Sequence, residues 1–308
     1  MSEVKKIATR MSYGNALVEL GKEHDDLLVF EADLGGATKT TIFRDVFPDR
    51  HIECGIAEAN MVGMAAGIST TGIVPFVSSF AMFTAGRAFD QLRNSVGYPH
   101  LNVKVGATHG GISVGQDGAT HQCNEDFALM RTIPGMVVIC PSDDVEARAA
   151  VKAAYEYKGP VYMRFGRVAV PDYKFEIGKG VTLKDGNDLT IIANGILVSE
   201  ALQAAEMLAK DGINARVINI HTIKPLDKDL VIKAAKETGK IVTAEEHSVI
   251  GGLGSAVADV VSEENLAPVH KIGVQDVFGE SALAEELLEK HGLDAKGIYN
   301  NIKDYLNK

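Results

Sequence analysis

The sequence predicts an α/β protein of two domains, each a mainly parallel sheet covered by helices. Three observations predict it. Short apolar runs of strand length alternate with longer helical patterns along the chain, the mark of βαβ units. The 308 residues leave room for about two domains of roughly 150 residues each. A Gly-, Pro- and charge-rich stretch at 168–189, VAVPDYKFEIGKGVTLKDGNDL, interrupts the alternation, and a second series comes after it.

Taken in order, Leu27–Glu31 (LLVFE) reads as a buried strand, and a buried helix is expected at about 58–69. A turn at Ser69-Thr70-Thr71-Gly72 leads to a strand at Ile73–Val77 and then to the start of another helix. Val103–Ala107 and Met136–Ile139 are the next strands. The helix after Pro141 has Ser142 or Asp143 as N-cap, with Glu146 placed for a capping box. Within 168–189 one hairpin is expected. Beyond it come a strand at Leu189–Ala193, a helix at Ser199–Lys210 capped by Ser199, and a strand at Ala215–Ile220. A helix at Leu226–Thr238, a strand at Lys240–Glu245 and a helix at Gly254–Glu263 complete the series. The expected domains are 1–175 and 188–308, with 176–187 as linker.

Composition narrows the function classes. Hydrophobic content of 46% and charged content of 23% are ordinary for a globular chain. A net charge of −10 argues against a nucleic-acid partner, while leaving room for a local basic site for a small phosphate. Cys54, Cys123 and Cys140 are far apart and odd in number, which fits a reducing cytoplasm. The opening MSEVKKIATRMSYG has no apolar core of signal-peptide length. From Ala59 to Gly86 there are 28 residues without a charge, long enough to cross a bilayer. The Ser/Thr/Gly turn, Pro75 and Ser78-Ser79 break that run, so it reads as buried helix, strand and helix rather than a membrane span.

Five stretches can carry chemistry. In ECGIAEANMVGMAAG, residues 53–67, Glu58 opens an uncharged helix. The plain reading is a first-turn carboxylate favoured by the helix dipole. A carboxyl group in an apolar surrounding is otherwise expected to have a raised pKa and to exchange a proton with a bound base. In THGGISVGQDGATHQ, residues 108–122, the glycines admit a ligand close to the backbone. His109, Asp117 and His121 supply donors and an acceptor suited to a polyhydroxylated substrate. The rivals are a flexible surface loop with incidental histidines and a zinc site using His109, Asp117, His121 and Cys123, whose spacing matches no compact zinc pattern. In SSFAMFTAGRAFDQLR, residues 78–93, Phe80 and Phe83 are expected on one helical face, as core or as a platform for a ring. In YMRFGR, residues 162–167, Arg164 and Arg167 leave a strand close enough together to hold a phosphate, or stand there simply as two solvated arginines. GGLG at 251–254 lacks the full dinucleotide spacing and reads as tight packing.

In this order the segments resemble the transketolase family of thiamine-diphosphate enzymes, over nearly the whole chain. ECGIAEANM is similar to the family segment whose glutamate contacts the cofactor's aminopyrimidine ring, which gives Glu58 that role. SVGQDGATHQ is similar to the transketolase substrate loop. The resemblance implies that Asp117 and His121 contact sugar hydroxyls and that His109 binds and orients substrate, with Glu58, His109 and His121 in catalytic roles. It implies that Phe80 and Phe83 pack on the pyrimidine, that Asp33 in EADLGGAT lies at the cofactor interface, and that Arg164 or Arg167 binds the substrate phosphate. Where some members have serine after the Asp33 segment, this chain has Ala37 and Thr38.

Full-length members also carry an N-terminal domain whose Gly-Asp-Gly motif holds the diphosphate through Mg²⁺. No Gly-Asp-Gly occurs in this sequence. The chain therefore resembles the C-terminal subunit of a split transketolase, formed of the pyrimidine-binding and C-terminal domains. That implies an N-terminal partner subunit that ligates the Mg²⁺, no metal ligand here, and an α2β2 assembly. It further implies sugar phosphate substrates, transfer of a two-carbon ketol unit, and a place in carbohydrate metabolism of the pentose phosphate type. Three alternatives share features. The beta subunit of a 2-oxoacid dehydrogenase is not expected to carry SVGQDGATHQ. Deoxyxylulose-phosphate synthase is normally one long chain. A non-catalytic module has no need of Glu58, Asp117 and both histidines.

Overall fold

A computed structural model describes residues 7–166 and 175–307. The chain folds into two compact units. The first comprises residues 1–110 and 129–177, the second 111–128 and 178–308.

In the first unit α1 (Thr9–Glu23) precedes β1 (Leu27–Glu31), followed by short helices α2 (Gly35–Thr38) and α3 (Thr41–Val46) and by β2 (His51–Glu53). Next come α4 (Glu58–Ser69), β3 (Val74–Phe80) and β4 (Lys104–Thr108). The chain returns to this unit in the course of α5 (Asp126–Thr132) and completes it with β5 (Val137–Ile139), α6 (Asp144–Glu156) and β6 (Val161–Phe165). The strands run in the order β5-β6-β4-β3-β1-β2, every pair parallel. This is the parallel α/β sheet expected from the alternation, and β3 and β4 are buried along their whole length.

Two differences from the sequence reading bear on the site. β3 continues past Val77 to Phe80, so Phe80 belongs to a strand and not to a helix. The chain beyond it is π-helical, over Met82–Arg87 and then Gln91–Gly97. Widened turns of this kind recur at functional positions. Ahead of α6 the cap divides its labour. Asp143 is the N-cap and accepts the Glu146 amide at 2.6 Å, whereas the Glu146 carboxylate accepts the Ser142 amide and hydroxyl at 2.6 and 2.7 Å. One core of this unit joins Leu17 and Leu20 of α1 to Val29, Phe76 and Met163 of the sheet and Ala147 and Val151 of α6. Each Leu, Met or Phe so buried contributes on the order of 1.5–3 kcal/mol.

The second unit contains β7 (Val181–Lys184), β8 (Leu189–Ala193), α7 (Leu197–Lys210), β9 (Ala215–Asn219) and β10 (Thr222–Lys224). It continues with α8 (Lys228–Thr238), β11 (Ile241–Ser248), α9 (Leu253–Glu263), β12 (Val269–Val274), α10 (Ala284–Lys290) and α11 (Ala295–Leu306). The sheet order is β12-β11-β8-β9-β7, parallel except for β7, which pairs antiparallel with β9. Part of the stretch expected to hold a hairpin, residues 168–174, lies outside the described residues; its described part contributes β7 as an edge strand paired with the distant β9. α7 starts two residues before Ser199, so Ser199 is not its cap. The GGLG turn is tight: a Cβ on Gly252 would lie 2.1 Å from Glu245 Oε2, and one on Gly254 2.7 Å from Thr243 Oγ1. Among the described residues no helix is long and apolar enough to cross a membrane.

Candidate active site

In a parallel sheet, residues just past the carboxyl ends of the strands gather along one edge, where ligands of α/β folds bind. The register of the first unit aligns those ends: Glu31 of β1 is level with Ser78, Phe80 of β3 with Thr108, and Thr108 of β4 with Phe165. Asp33, Phe80, His109 and Arg164 all come from this edge.

Glu58 is the first residue of α4, and it is 4% exposed. Its Oε1 accepts from Arg87 Nη1 at 3.1 Å. The carboxylate is therefore not in an uncharged setting, as the sequence alone implied, because the π-helical segment turns Arg87 back onto it. The same guanidinium lies 4.1 Å from the centre of the Phe83 ring. Phe83 is parallel to Phe80 within 11°, at 5.8 Å between centres, and Phe80 stacks on His109 at 4.0 Å. A buried carboxylate, an arginine and three stacked rings thus form one continuous array. Although Phe80 and Phe83 share no helix, they do share a face.

His109 has a φ of +55° and follows β4 directly. Arg10 Nη1, from the first turn of α1, lies 2.6 Å from His109 Nε2. A guanidinium only donates, so Nε2 accepts and the ring proton sits on Nδ1, which donates to Thr108 Oγ1 at 2.7 Å. Arg164 on β6 is 3% exposed. Gly110 packs against its stem so closely that a Cβ there would lie 2.1 Å from Arg164 Nε. Arg167 lies outside the described residues. Asp33 is exposed with a φ of +61°, and its amide donates to Glu53 Oε1 at 2.8 Å. Its neighbour Glu31 shapes the turn after β1. Glu31 Oε1 accepts the amides of Ala32 and Leu34 at 2.9 and 3.2 Å, and Oε2 accepts the hydroxyls of Thr38 and Thr40 at 2.6 Å each. Burial pushes the Glu31 carboxyl pKa up, against the pull of those hydroxyls.

Asp117 and His121 belong to the second unit, on a loop whose 3₁₀ segment is Ile112–Asp117. Gly115 and Gly118 have φ of +82° and +75°, which other residues adopt only with strain. Their turns leave Asp117 exposed and His121 half-buried, with His121 Nδ1 2.9 Å from Thr120 Oγ1. Gln122, 3% exposed, fastens the loop from within. Its Nε2 lies 3.3, 3.1 and 2.8 Å from the carbonyls of Ile112, Gly115 and Glu280. Among the described residues no group of three or more His, Cys, Asp or Glu is placed to hold a metal ion.

Sequence reasoning missed Arg10, Glu31, Arg87 and Gln122. For Arg87 a signal was present, since the charge-free run from Ala59 to Gly86 is bracketed by Glu58 and Arg87. Two opposite charges at the ends of an otherwise uncharged, folded-back segment are candidates to meet. For Arg10 and Glu31 nothing local distinguished them.

Two family models match the chain: the transketolase pyrimidine-binding domain over residues 5–172, and the transketolase C-terminal domain over residues 178–298. A Methanocaldococcus jannaschii chain, assigned provisionally as a transketolase C-terminal section, is 49% identical, with 97% of this chain and 96% of that one covered. One subunit of an apulose-4-phosphate transketolase from Phocaeicola vulgatus is 40% identical over 98% of both chains. A solved structure described as a split-gene transketolase, an inactive β4 tetramer, superposes with a TM-score of 0.89 at 51% identity, covering 98% of this chain and 99% of the other. Human transketolase is 39% identical over 98% of this chain but only 50% of its own length. The chain belongs to the transketolase family, and the part of the family it spans is the pyrimidine-binding and C-terminal domains, as in the C-terminal section and the apulose-phosphate transketolase subunit that it resembles.

Proposed function

We propose that this chain is the C-terminal subunit of a thiamine-diphosphate-dependent transketolase that moves a two-carbon ketol unit from a ketose phosphate to an aldose phosphate. The observation that carries this reading is the buried Glu58 beside the stacked rings of Phe80, Phe83 and His109. That donor set fits the pyrimidine half of the cofactor: a carboxylate for a ring nitrogen and aromatic faces for the ring itself. When bound, thiamine diphosphate supplies the electron sink for carbon–carbon cleavage.

The chain's own residues hold and orient. Glu58 hydrogen-bonds the ring nitrogen and keeps a proton shared at its carboxylate, while Arg87 fixes which oxygen faces it. Phe80 and Phe83 exclude water from the ring. Asp33 lies at the cofactor interface. His109 presents an Nε2 lone pair that exchanges Arg10 for a sugar hydroxyl. Asp117 and His121 take further hydroxyls. His109 and His121 move protons to and from substrate oxygens. Arg164, with Arg167 as the other candidate, takes the substrate's anionic end. A relative's named substrate supports such an end: a 6-deoxy-6-sulfo-D-fructose transketolase subunit from Clostridium sp., 44% identical over 94% of this chain, is named for a sulfonated sugar. The Phocaeicola vulgatus relative is named for a phosphorylated one.

An N-terminal partner subunit supplies the diphosphate and Mg²⁺ site, in an α2β2 assembly in the cytoplasm that serves carbohydrate metabolism of the pentose phosphate type. The test mixes this chain and that partner with Mg²⁺, thiamine diphosphate, xylulose 5-phosphate and ribose 5-phosphate, and looks for a seven-carbon product. Product is expected only with both chains, and Glu58→Ala is expected to abolish it. Wild-type rate from the variant, or activity from this chain alone, would overturn the assignment.

A further inference from the structure

We infer that Glu246 and His247, at the end of β11, are positioning residues that hold loop 111–128 in the shape that presents Asp117 and His121. The functional half of this inference rests on the transketolase reading; the structural half does not.

The loop's own ties, Gln122 to the carbonyls of Ile112 and Gly115 and the turn around Gly118, leave Ser113 and the segment at 124–128 to be fixed from outside. Gly111, Gly115 and Gly118 all have positive φ, and Ile112 is the one fully buried large aliphatic side chain between Gly111 and His121. A glycine-rich segment of this kind is entropically costly to order, so its shape must come from anchors. β11 supplies them at both ends. Glu246, 7% exposed, accepts the Ser113 amide through Oε1 at 2.5 Å, four residues before Asp117. His247 is fully buried. Its Nδ1 donates to the Ser248 carbonyl at 2.7 Å, which leaves Nε2 as the acceptor for the Ala128 amide at 3.3 Å. Its ring stacks on Phe127 at 5.0 Å and 14°, and the next amide, Ser248, donates to the Asn124 carbonyl at 2.8 Å. Three consecutive residues of one strand therefore grip the loop on either side of Asp117 and His121. From the other flank Ser281 Oγ donates to the Gln116 carbonyl at 2.5 Å. The adjoining Glu245 turns the other way and accepts the amides of Leu253 and Gly254 at 2.6 and 2.8 Å, fixing α9. The C-terminal half of the chain thus has a task in the reaction although its own sheet bears none of the expected site residues.

The test uses the full-length chain with Glu246→Ala and Glu246→Gln. Glutamine keeps an acceptor oxygen for the Ser113 amide, and alanine does not. Hydrogen exchange of residues 111–122 is expected to accelerate about tenfold in E246A, the ratio equivalent to losing about 1.4 kcal/mol of a hydrogen bond to a charged group. Exchange in β8 is expected to stay unchanged, and E246Q to recover most of the protection. With the partner subunit present, E246A is expected to raise KM for the ketose donor at least fivefold with kcat within twofold, and E246Q to reverse most of that rise. Unchanged exchange in E246A, equal loosening of loop and β8, or an E246Q as defective as E246A would overturn the inference. If the wild-type pair performs no ketol transfer, the transketolase reading fails while the exchange experiment still decides the anchoring.

Discussion

The Glu58–Arg87 pair is unequal, and that inequality predicts an unusual ranking of mutants. Glu58 is 4% exposed and Arg87 53% exposed, with 3.1 Å between them. Removing Glu58 leaves an arginine that is half in water and can rehydrate. The loss is then one partly exposed ion pair, worth about 0–1 kcal/mol. Removing Arg87 strands a buried carboxylate. Breaking a buried pair in that sense costs about 3–5 kcal/mol. The N-terminus of α4 returns up to roughly 1 kcal/mol of that by favouring negative charge. Loss of the guanidinium over Phe83 adds back about 0.5–1 kcal/mol. Arg87→Ala is therefore expected to destabilise the chain by about 4 kcal/mol, and Glu58→Ala by less than about 1 kcal/mol. The double variant should sit near Glu58→Ala, because the carboxylate that needed Arg87 is gone. Urea denaturation of the chain measures all three. Equal losses for the two single variants, or a double variant as unstable as Arg87→Ala, would refute the reasoning.

Two further outcomes are expected from buried groups nearby. Gly110→Ala puts a methyl 2.1 Å from Arg164 Nε and 2.6 Å from Cδ, on the stem of a buried side chain rather than at its free end. Overpacking of this kind costs about 1–3 kcal/mol, so the denaturation midpoint should fall; an unchanged midpoint would contradict the packing. Lys104 is fully buried, with Nζ lying 2.6–2.8 Å from Asn102 Oδ1 and from the carbonyls of Tyr157 and Gly159. Burial, helped by the Lys158 charge, lowers its pKa from 10.5 to about 7. Between those values the unfolded chain binds the extra proton, so stability should rise with pH from about 7 toward 10, by up to about 1.4 kcal/mol per unit. Melting curves at pH 7, 8 and 9 should show that rise in the wild type and not in Lys104→Met. Parallel profiles would count against it.

The alternation of strand and helix, and with it two mainly parallel sheets, was legible because side-chain periodicity is a property of neighbours. So were the short contiguous stretches that carry the resemblance, ECGIAEANM and SVGQDGATHQ. A candidate residue could be proposed wherever its motif was unbroken in sequence, as with Glu58, Asp117 and His121. The environment of those residues could not be read the same way. Glu58 looked uncharged around because its ion partner stands 29 residues away, past a turn, a strand and a π-helical segment. Phe80 looked helical because the apolar run does not mark where β3 ends. Arg10 reaches His109 across 99 positions, and Ser113 reaches Glu246 across 133. The sequence by itself determined which chemical groups exist and, for most of the chain, whether a strand or a helix lies nearby, though not where β3 ends or which residue caps α7. Only the tertiary structure decided which amide, ring or charge each group meets, because parallel crossovers align strand ends that are far apart in the chain, and no local preference records those meetings.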